Sequence, residues 1–308
     1  MSNATVEPSK RDTVIAVALL VIGAVAVAFM PSTAKLAFHD GTNTETLIAI
    51  RAFTAVVLLG GFMAIKGASF TIPAPVRMLA LAACVSSALM NYFFYMALHH
   101  LTISLASLIL FTNPLWVAFF YHATGRANLT RFRLFWGVAA LAGIAIALAV
   151  DFSTISLTGV LAASAAAFFA TTMVLYMVRV NDHVGGMTTS FHISFWTFVL
   201  FAIVLLTIGE AQWPASTQGW ASSMGNGVGY LIAYLTFLIA ASLIGASRAA
   251  MLTFMEPITT ILLAAWIFGE RLSVSQWGGV ALVALGLIAM EAPKGTWARL
   301  FGNKARPI

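Results

Sequence analysis

Ten apolar runs of about 20 residues each, separated by short polar loops, constrain this chain more than any other feature. A helix of that length is what the hydrocarbon core of a bilayer requires. The runs are 13–34, 46–65, 76–98, 103–124, 132–150, 157–178, 187–208, 228–243, 249–268 and 276–290. Since 61% of the residues are hydrophobic and 8% are charged, lipid is the solvent in which this chain folds. The sequence therefore predicts an all-α membrane protein with ten transmembrane helices.

The basic residues predict the orientation of these helices. If the N-terminus is cytoplasmic, 13 of the 16 Lys and Arg residues fall on the inner side, whereas Lys35 and Arg271 fall outside and Arg51 lies within the second run. This bias predicts a multi-pass protein of a plasma membrane or bacterial inner membrane with both termini cytoplasmic. The basic tail, residues 291–308, is expected to lie on the anionic inner leaflet.

An internal repeat organises the chain. Asn113-Pro114 and Glu256-Pro257 are 143 positions apart, and two Trp-Gly pairs are 141 apart. The repeats are residues 13–150 and 157–290, and each holds five runs. Because five is odd, the second copy must enter the membrane upside down. Two inverted five-helix repeats around a central cavity are the arrangement of many secondary transporters.

The two Pro motifs lie deep inside apolar runs. Pro114 and Pro257 remove a backbone donor, so they are expected to break or bend their helices. In lipid, the Glu256 carboxylate needs a proton, a partner or water. We interpret Glu256 as a substrate-binding or proton-coupling group, with Asn113 as its counterpart in the first repeat. The alternative is a structural carboxylate that is hydrogen-bonded to neighbouring helices.

Tyrosines occur at midspan depth, whereas the aromatic belts of membrane proteins lie at the helix ends. With one asparagine, they predict a polar and aromatic wall of the cavity that contacts substrate. The alternative is ordinary packing with hydroxyl groups bonded to the backbone. The candidates are Asn91, Tyr92 and Tyr95 in the third run, and Tyr230 and Tyr234 in the eighth.

Arg51 and His192 occupy equivalent positions of the two repeats, 141 residues apart. A buried guanidinium stays charged and must be paired, and Glu45 or Glu270 is the expected partner. Arg51 is therefore a coupling or structural charge. His192 is either a proton relay or an interfacial histidine.

Small residues at four-residue spacing follow two of the runs and predict close helix packing. The stripe in the fifth run consists of Ala139, Gly143 and Ala147. It serves either packing within the chain or a dimer seam, and the sequence leaves the oligomeric state open.

A motif in the second repeat consists of Pro257, Gly269, Glu270, Leu272, Gln276, Gly279 and Gly286. With this motif the second repeat resembles the EamA repeat of the drug/metabolite transporter superfamily, and the first repeat is a weaker match. The first repeat keeps Pro114 and Gly137 but has Arg126 where the family usually has Glu. The resemblance implies a ten-helix bundle whose cavity is lined by helices one, three, four, six, eight and nine, with five and ten peripheral.

The function that we expect is a secondary transporter that exports a small amphipathic metabolite, such as an amino acid or related compound, by alternating access. Export is implied by the resemblance alone, and proton coupling is one possibility. The alternative is a non-transporting membrane scaffold or partner subunit. The lipid bilayer and a small-molecule substrate are the expected partners.

The sequence also indicates what to exclude. It has no nucleotide-binding Walker A loop and no intramembrane protease motif, so we do not expect an enzyme. The single cysteine, Cys84, and the adjacent pair His99-His100 offer no complete metal site, and no cofactor is expected. The net charge of +6 is spread over short loops rather than one face, which argues against nucleic acid as a partner.

Overall fold

A computed structural model describes residues 9–98, 100–127, 129–149, 156–208, 210–268 and 272–291, and all regular structure in these ranges is helical. The prediction for the tail, residues 291–308, falls outside the described residues, apart from the backbone of its first residue. The helices are α1 Lys10–His39, α2 Thr44–Lys66, a 3-10 turn Ala74–Val76, α3 Arg77–Leu98, α4 Ile103–Leu110, α5 Asn113–Ala123, α6 Arg131–Ala147, α7 Leu157–Ile208, α8 Thr217–Ile244, α9 Ala246–Leu252, α10 Met255–Phe268 and α11 Val274–Glu291.

Six helical stretches in the described residues are long and apolar enough to cross a membrane. They cover seven of the ten predicted runs, since α7 contains both the sixth and the seventh run. The other three runs form shorter helices: α6 has 17 residues, α9 and α10 have 7 and 14, and α11 has 18. The all-helical membrane fold is therefore confirmed. The predicted number of ten spans is not confirmed, because only six helical stretches among the described residues meet the length and hydropathy criteria.

Helix α7 changes direction at Gly185. Its 52 residues are helical except at this glycine, where φ is 80° and ψ is 165°. A side chain is strained at positive φ, so glycine is the residue that accommodates this bend. The bend divides α7 into a first half, residues 157–184, and a second half, residues 186–208.

The fourth and ninth runs are each divided into two helices just before their proline. Helix α4 ends at Leu110 and α5 begins at Asn113, while α9 ends at Leu252 and α10 begins at Met255. A proline cannot donate to the carbonyl four residues earlier. At Pro114 that carbonyl, Leu110 O, accepts instead from the Asn113 side chain at 2.9 Å. At Pro257 the corresponding carbonyl, Thr253 O, accepts from the Glu256 backbone at 2.9 Å.

Helix α8 begins at Thr217, eleven residues before the predicted start at 228. Ser216 caps it, because its side chain accepts from the Gly219 backbone at 3.1 Å. The Ser216 backbone donates to Asp40 at the end of α1 at 2.9 Å. Hydrogen bonds from the Ser216 side chain and backbone hold the pKa of Asp40 below its usual value. The residues directly before the eighth predicted run are therefore helical as well.

The two halves of the chain pack into each other. Helix α8 packs against α1 and α2, and α3 packs against both halves of α7. The Asn226 side chain on α8 donates to Met30 O on α1 at 2.8 Å. Helix α5 packs on α9, and α6 packs on α11. In each half, the third long helical segment (α3 or α8) therefore contacts both of the first two segments of the other half.

Glycines allow the closest of these contacts. A Cβ added to Gly143 on α6 would lie 2.9 Å from Gly279 O on α11, and one added to Gly279 would lie 2.7 Å from Gly143 O. The stripe of small residues in the fifth run therefore packs against another helix of the same chain, as one of the two alternatives predicted.

Gly227 gives a test of this packing. A Cβ there would lie 2.7 Å from Arg51 O and 2.9 Å from Arg51 Cα, so Gly227→Ala must push α8 away from α2. We expect a loss of about 1–3 kcal/mol, measured as a lower Tm of the purified protein.

Gly225 lies on the same helix with nothing within 4 Å of an added Cβ, so Gly225→Ala is the matched control and should leave Tm unchanged or slightly higher. Equal Tm values for the two variants would show that α2 and α8 do not approach as closely as described.

Candidate functional site

Arg51 lies in the interior, where α2, α3 and α8 meet. Its side chain is 2% exposed, and its Nη1 donates to the Tyr95 hydroxyl at 3.3 Å. The guanidinium carbon lies 4.6 Å from the centre of the Tyr230 ring and 5.8 Å from that of Tyr95. The aromatic faces provide the negative charge density that stabilises this cation.

Tyr230 and Tyr234 extend the site along α8. Their rings are 4.4 Å apart, and the hydroxyl groups lie 3.4 and 3.3 Å from the Ser87 hydroxyl on α3. The Tyr234 hydroxyl also donates to the Met173 sulfur on α7 at 2.9 Å. Arg51, Ser87, Tyr95, Tyr230 and Tyr234 form what we call the arginine–tyrosine cluster.

Two small residues bring the helices of the cluster together. Gly227 lies one turn before Tyr230 and allows α8 to approach the backbone of Arg51. Ser87 is fully buried, and its short side chain leaves room for two tyrosine hydroxyls on the opposite helix. The site therefore depends on small side chains as much as on aromatic ones.

The charge of Arg51 has no carboxylate partner in the described part of the chain. Nε and Nη2 are buried without a hydrogen-bond acceptor. Glu45, one of the two expected partners, makes no ion pair with it, because tyrosine rings and a hydroxyl surround the guanidinium instead. Glu270, the other expected partner, falls outside the described residues. The expectation of a carboxylate partner is therefore wrong for Glu45.

Two other residues of the predicted wall lie on α3 with different surroundings. Asn91 is 5% exposed, and its side chain donates to Ser87 O at 2.7 Å, which places it beside the cluster. Tyr92 is 42% exposed and packs edge-on against Phe93, so it points away from the cluster. The helical repeat explains this difference, since neighbouring positions face about 100° apart.

Asn113 and Glu256 lie at the interrupted helices rather than in the cluster. The Asn113 side-chain amide donates a hydrogen bond to Leu110 O, the carbonyl that Pro114 leaves without a backbone donor. The Glu256 carboxylate has neither a hydrogen-bond donor nor a cation within reach among the residues that the structure describes. Neither side chain contacts Arg51, so the structure does not join the proline motifs to the cluster by direct contact.

His192 is separate from Arg51 although the two are repeat counterparts. Its Nε2 lies 2.7 Å from Phe70 O, and nearby Thr188 donates to Ser69 O at 2.9 Å. These contacts fasten the loop between α2 and α3 to the second half of α7. The position of His192 at this loop matches the interfacial alternative. Within the described ranges its imidazole contacts no titratable side chain, and the Cys84 thiol donates at 3.5 Å to the backbone carbonyl of His192 and not to the ring.

Ser87 and Met173 are the members of the site that the sequence reading missed. Ser87 could have been found from its spacing, because it lies four residues before Asn91 and eight before Tyr95 on one helix face. Met173 carries no such signal, since a methionine in an apolar run is ordinary packing until the fold places it beside a hydroxyl.

Long apolar helices from both halves of the chain, which pack around a buried polar cluster, define a multi-pass membrane protein. The EamA-like transporter family matches residues 14–149 and again residues 157–291. This chain therefore belongs to that family, which is a family of transporters and not of enzymes, and the repeat seen in the sequence corresponds to its two copies.

Two individual comparisons add a relative described as a transporter and a solved structure that shares the fold. A 99-residue segment is 33% identical to a protein of Bacillus subtilis (strain 168) described as "Uncharacterized transporter YwfM", and it spans 31% of this chain and 33% of that relative. A solved crystal structure titled only "Crystal structure of protein" superposes with a TM-score of 0.76 at 18% identity. It covers 95% of this chain and 99% of its own, and it shows that the fold is shared.

The unpaired charge gives a test of the energetics of the cluster. Arg51→Met keeps much of the volume and removes a buried cation, so without substrate we expect a protein at least as stable as wild type and up to about 4 kcal/mol more stable. Scanning fluorimetry of the purified protein measures this change as a Tm.

Tyr95→Phe is the contrasting variant. It removes the hydroxyl acceptor and keeps the charge, which should lower stability by about 1–3 kcal/mol. A large fall in Tm for Arg51→Met would mean that the aromatic contacts outweigh the cost of burying the guanidinium.

Proposed function

We propose that this protein is a secondary transporter that exports a small amphipathic metabolite, such as an amino acid or related compound, by alternating access. The observation that carries the proposal is the contact between Ser87 and Tyr230. These residues are 143 positions apart, which is also the offset of the two proline motifs. Equivalent positions of the two repeats therefore meet inside the buried cluster, and transporters built from repeats bind substrate at such an interface.

The packing of the helices supports an inverted arrangement with ten spans. Helix α8 contacts α1 and α2 as α3 contacts the two halves of α7, so the same local arrangement occurs in both halves. On this proposal α7 provides two spans at the Gly185 bend, and α4–α5 and α9–α10 provide one interrupted span each. Five spans per half then place the two halves in opposite orientations.

Contacts at the helix ends support the proposed sidedness. Asp40 and Asn43, which follow α1, bond to Ser216 and Glu210 before α8, so these turns share one face. The loop at Ser69 and the bend of α7 share the opposite face. The distribution of Lys and Arg supports the second face as the cytoplasmic one, with both termini on that side. A plasma membrane or bacterial inner membrane follows from the same argument.

The breaks and the bend in the helices provide hinges for alternating access. The cluster is closed in this conformation, because Arg51, Tyr95 and Tyr230 are 2%, 6% and 2% exposed. Substrate reaches it only if helices separate on one side at a time. The breaks before Pro114 and Pro257 and the bend at Gly185 are places where segments can rotate without breaking a continuous helix. Asn91, Tyr95, Tyr230 and Tyr234 are the proposed substrate contacts.

A non-transporting scaffold or partner subunit is the alternative function. A scaffold needs only close packing, which the glycine contacts already provide. It has no use for a permanently charged side chain with two unpaired donors between its halves. The buried cluster therefore favours transport.

Flux into liposomes tests the proposal. The purified full-length protein is reconstituted and given a panel of labelled amino acids, amines, sugars and organic acids, with protein-free vesicles as the control. We expect protein-dependent counterflow of at least one class of solute. An absence of counterflow for every solute, in vesicles whose protein is shown to be folded, would favour the scaffold.

We further propose that Glu256 couples transport to protons. The carboxylate lies at the break between α9 and α10 and contacts no cation in the described segments. A carboxylate in lipid is stable when it is neutral or paired, so a cycle that hydrates it on one side can load and release a proton. The structural alternative is a carboxylate that only supports the broken helix.

Glu256→Gln tests this coupling. Gln keeps the shape and stays neutral, so we expect a folded protein whose counterflow persists but whose response to a pH gradient is lost. The backbone of residue 256, which bonds to Thr253 O, and Pro257 are unaffected, so the helix break should remain.

Glu210→Gln, on an exposed loop residue, is the matched control and should keep the response to the gradient. An unchanged pH profile in Glu256→Gln would end the coupling proposal, and a variant that loses Tm but transports normally would make the carboxylate structural.

A further inference from the structure

The two unpaired nitrogen atoms of Arg51 belong to the same edge of its guanidinium group. Nε and Nη2 lie along one edge of the guanidinium, and their N–H bonds point in the same direction. This edge binds the two oxygens of a carboxylate side-on, with two parallel hydrogen bonds. Nη1, on the other side, is the atom already used on Tyr95. The structure therefore leaves open the edge of the guanidinium that fits a carboxylate.

The surroundings hold the guanidinium in place but do not neutralise it. The Tyr230 ring lies 4.6 Å from the guanidinium carbon, and the Tyr95 hydroxyl fixes Nη1. Both contacts are compatible with a further anionic ligand, because neither occupies Nε or Nη2. No Asp or Glu of the described residues forms an ion pair with Arg51. A cation that is 2% exposed and fixed in orientation presents two donors that an anion can satisfy once the cluster opens.

The rest of the cluster indicates the shape of the anion. Ser87 and Tyr234 present hydroxyl groups next to Tyr230, and the Tyr234 hydroxyl already contacts the sulfur of Met173. Beyond these hydroxyls the neighbouring clusters consist of aliphatic, methionine and aromatic side chains. Such a site accepts one charged group and an uncharged remainder, and among the residues that the structure describes no second cation lies in the cluster to bind a dianion.

We propose that Arg51 binds the carboxylate of the transported solute, so that the substrate class is small monocarboxylates, amino acids among them. This inference rests on the proposed transport function and adds the group that the protein recognises. A substrate carboxylate supplies the missing partner of the buried guanidinium, and the tyrosines enclose the ion pair away from lipid. A neutral amide offers one carbonyl acceptor and no charge, so it pairs at most one edge of the guanidinium incompletely and binds more weakly.

The test compares acids with their amides on the wild-type protein. Counterflow in proteoliposomes and thermal shift in detergent are measured with leucine and leucinamide, and with benzoate and benzamide. We expect the acids to be preferred by at least about tenfold, since a hydrogen-bonded charge is lost in the amide. This comparison needs no variant, so it holds even if a substitution at position 51 fails to fold.

Arg51→Gln should then bring the ratio of acid to amide binding close to one. Arg51→Lys should retain only part of the preference for acids, because an ammonium lacks a planar edge with two parallel N–H donors. Arg133→Gln removes an exposed arginine on α6 and is the control that should behave as wild type. Tyr95→Phe loosens Nη1 alone and should weaken acid binding while keeping the preference for acids.

The outcomes separate this inference from the proposed function. Counterflow of neutral solutes or amides as fast as acids, or an acid preference that survives Arg51→Gln, overturns the carboxylate site and leaves transport standing. A protein that moves none of the panel and is stabilised by none of it overturns both. Loss of acid preference in Arg51→Gln with normal behaviour of Arg133→Gln supports the assignment.

Discussion

Hydrogen bonding in lipid is the constraint on which the rest of this structure depends. Every backbone group and every charge inside the bilayer needs a partner within the protein, because water is absent. The chain satisfies the backbone with helices and repairs the places where prolines interrupt them, as with the Asn113 side chain on Leu110 O and the Glu256 backbone on Thr253 O. Against this background, Arg51 keeps two donors, Nε and Nη2, without an acceptor, whereas several other buried side chains each leave one polar atom unpaired.

Close packing between the two halves of the chain brings the residues of the candidate site together. Gly227 brings α8 against the backbone of Arg51, and Gly143 and Gly279 bring α6 against α11. In lipid, apolar surfaces gain little from meeting one another, so small residues that allow backbone approach carry much of the helix association. The same approach places Ser87 and Tyr230, one from each half, within hydrogen-bonding distance.

Several residues of the candidate site were predictable from the sequence, but which of the predicted residues lie together was not. Periodicity and depth pointed to Tyr95, Tyr230 and Tyr234, and the structure places them together around Arg51. Tyr92, Asn113, Glu256 and His192 carried equally good signals in the sequence, yet they lie elsewhere. The partner of Arg51 was expected to be a carboxylate, since the sequence cannot show that aromatic faces surround the guanidinium.

The sequence by itself determined the membrane class, the helical fold, the repeat and the family, because hydropathy and the spacing of the proline motifs are local properties of the chain. Only the tertiary structure decided which faces of α2, α3 and α8 meet, that α7 joins two predicted runs through a glycine bend, and that α8 starts at Thr217. Several of these features depend on contacts between distant residues, such as Ser87 with Tyr230 and Ser216 with Asp40, which are more than 100 positions apart. Such contacts are fixed by packing and not by local pattern.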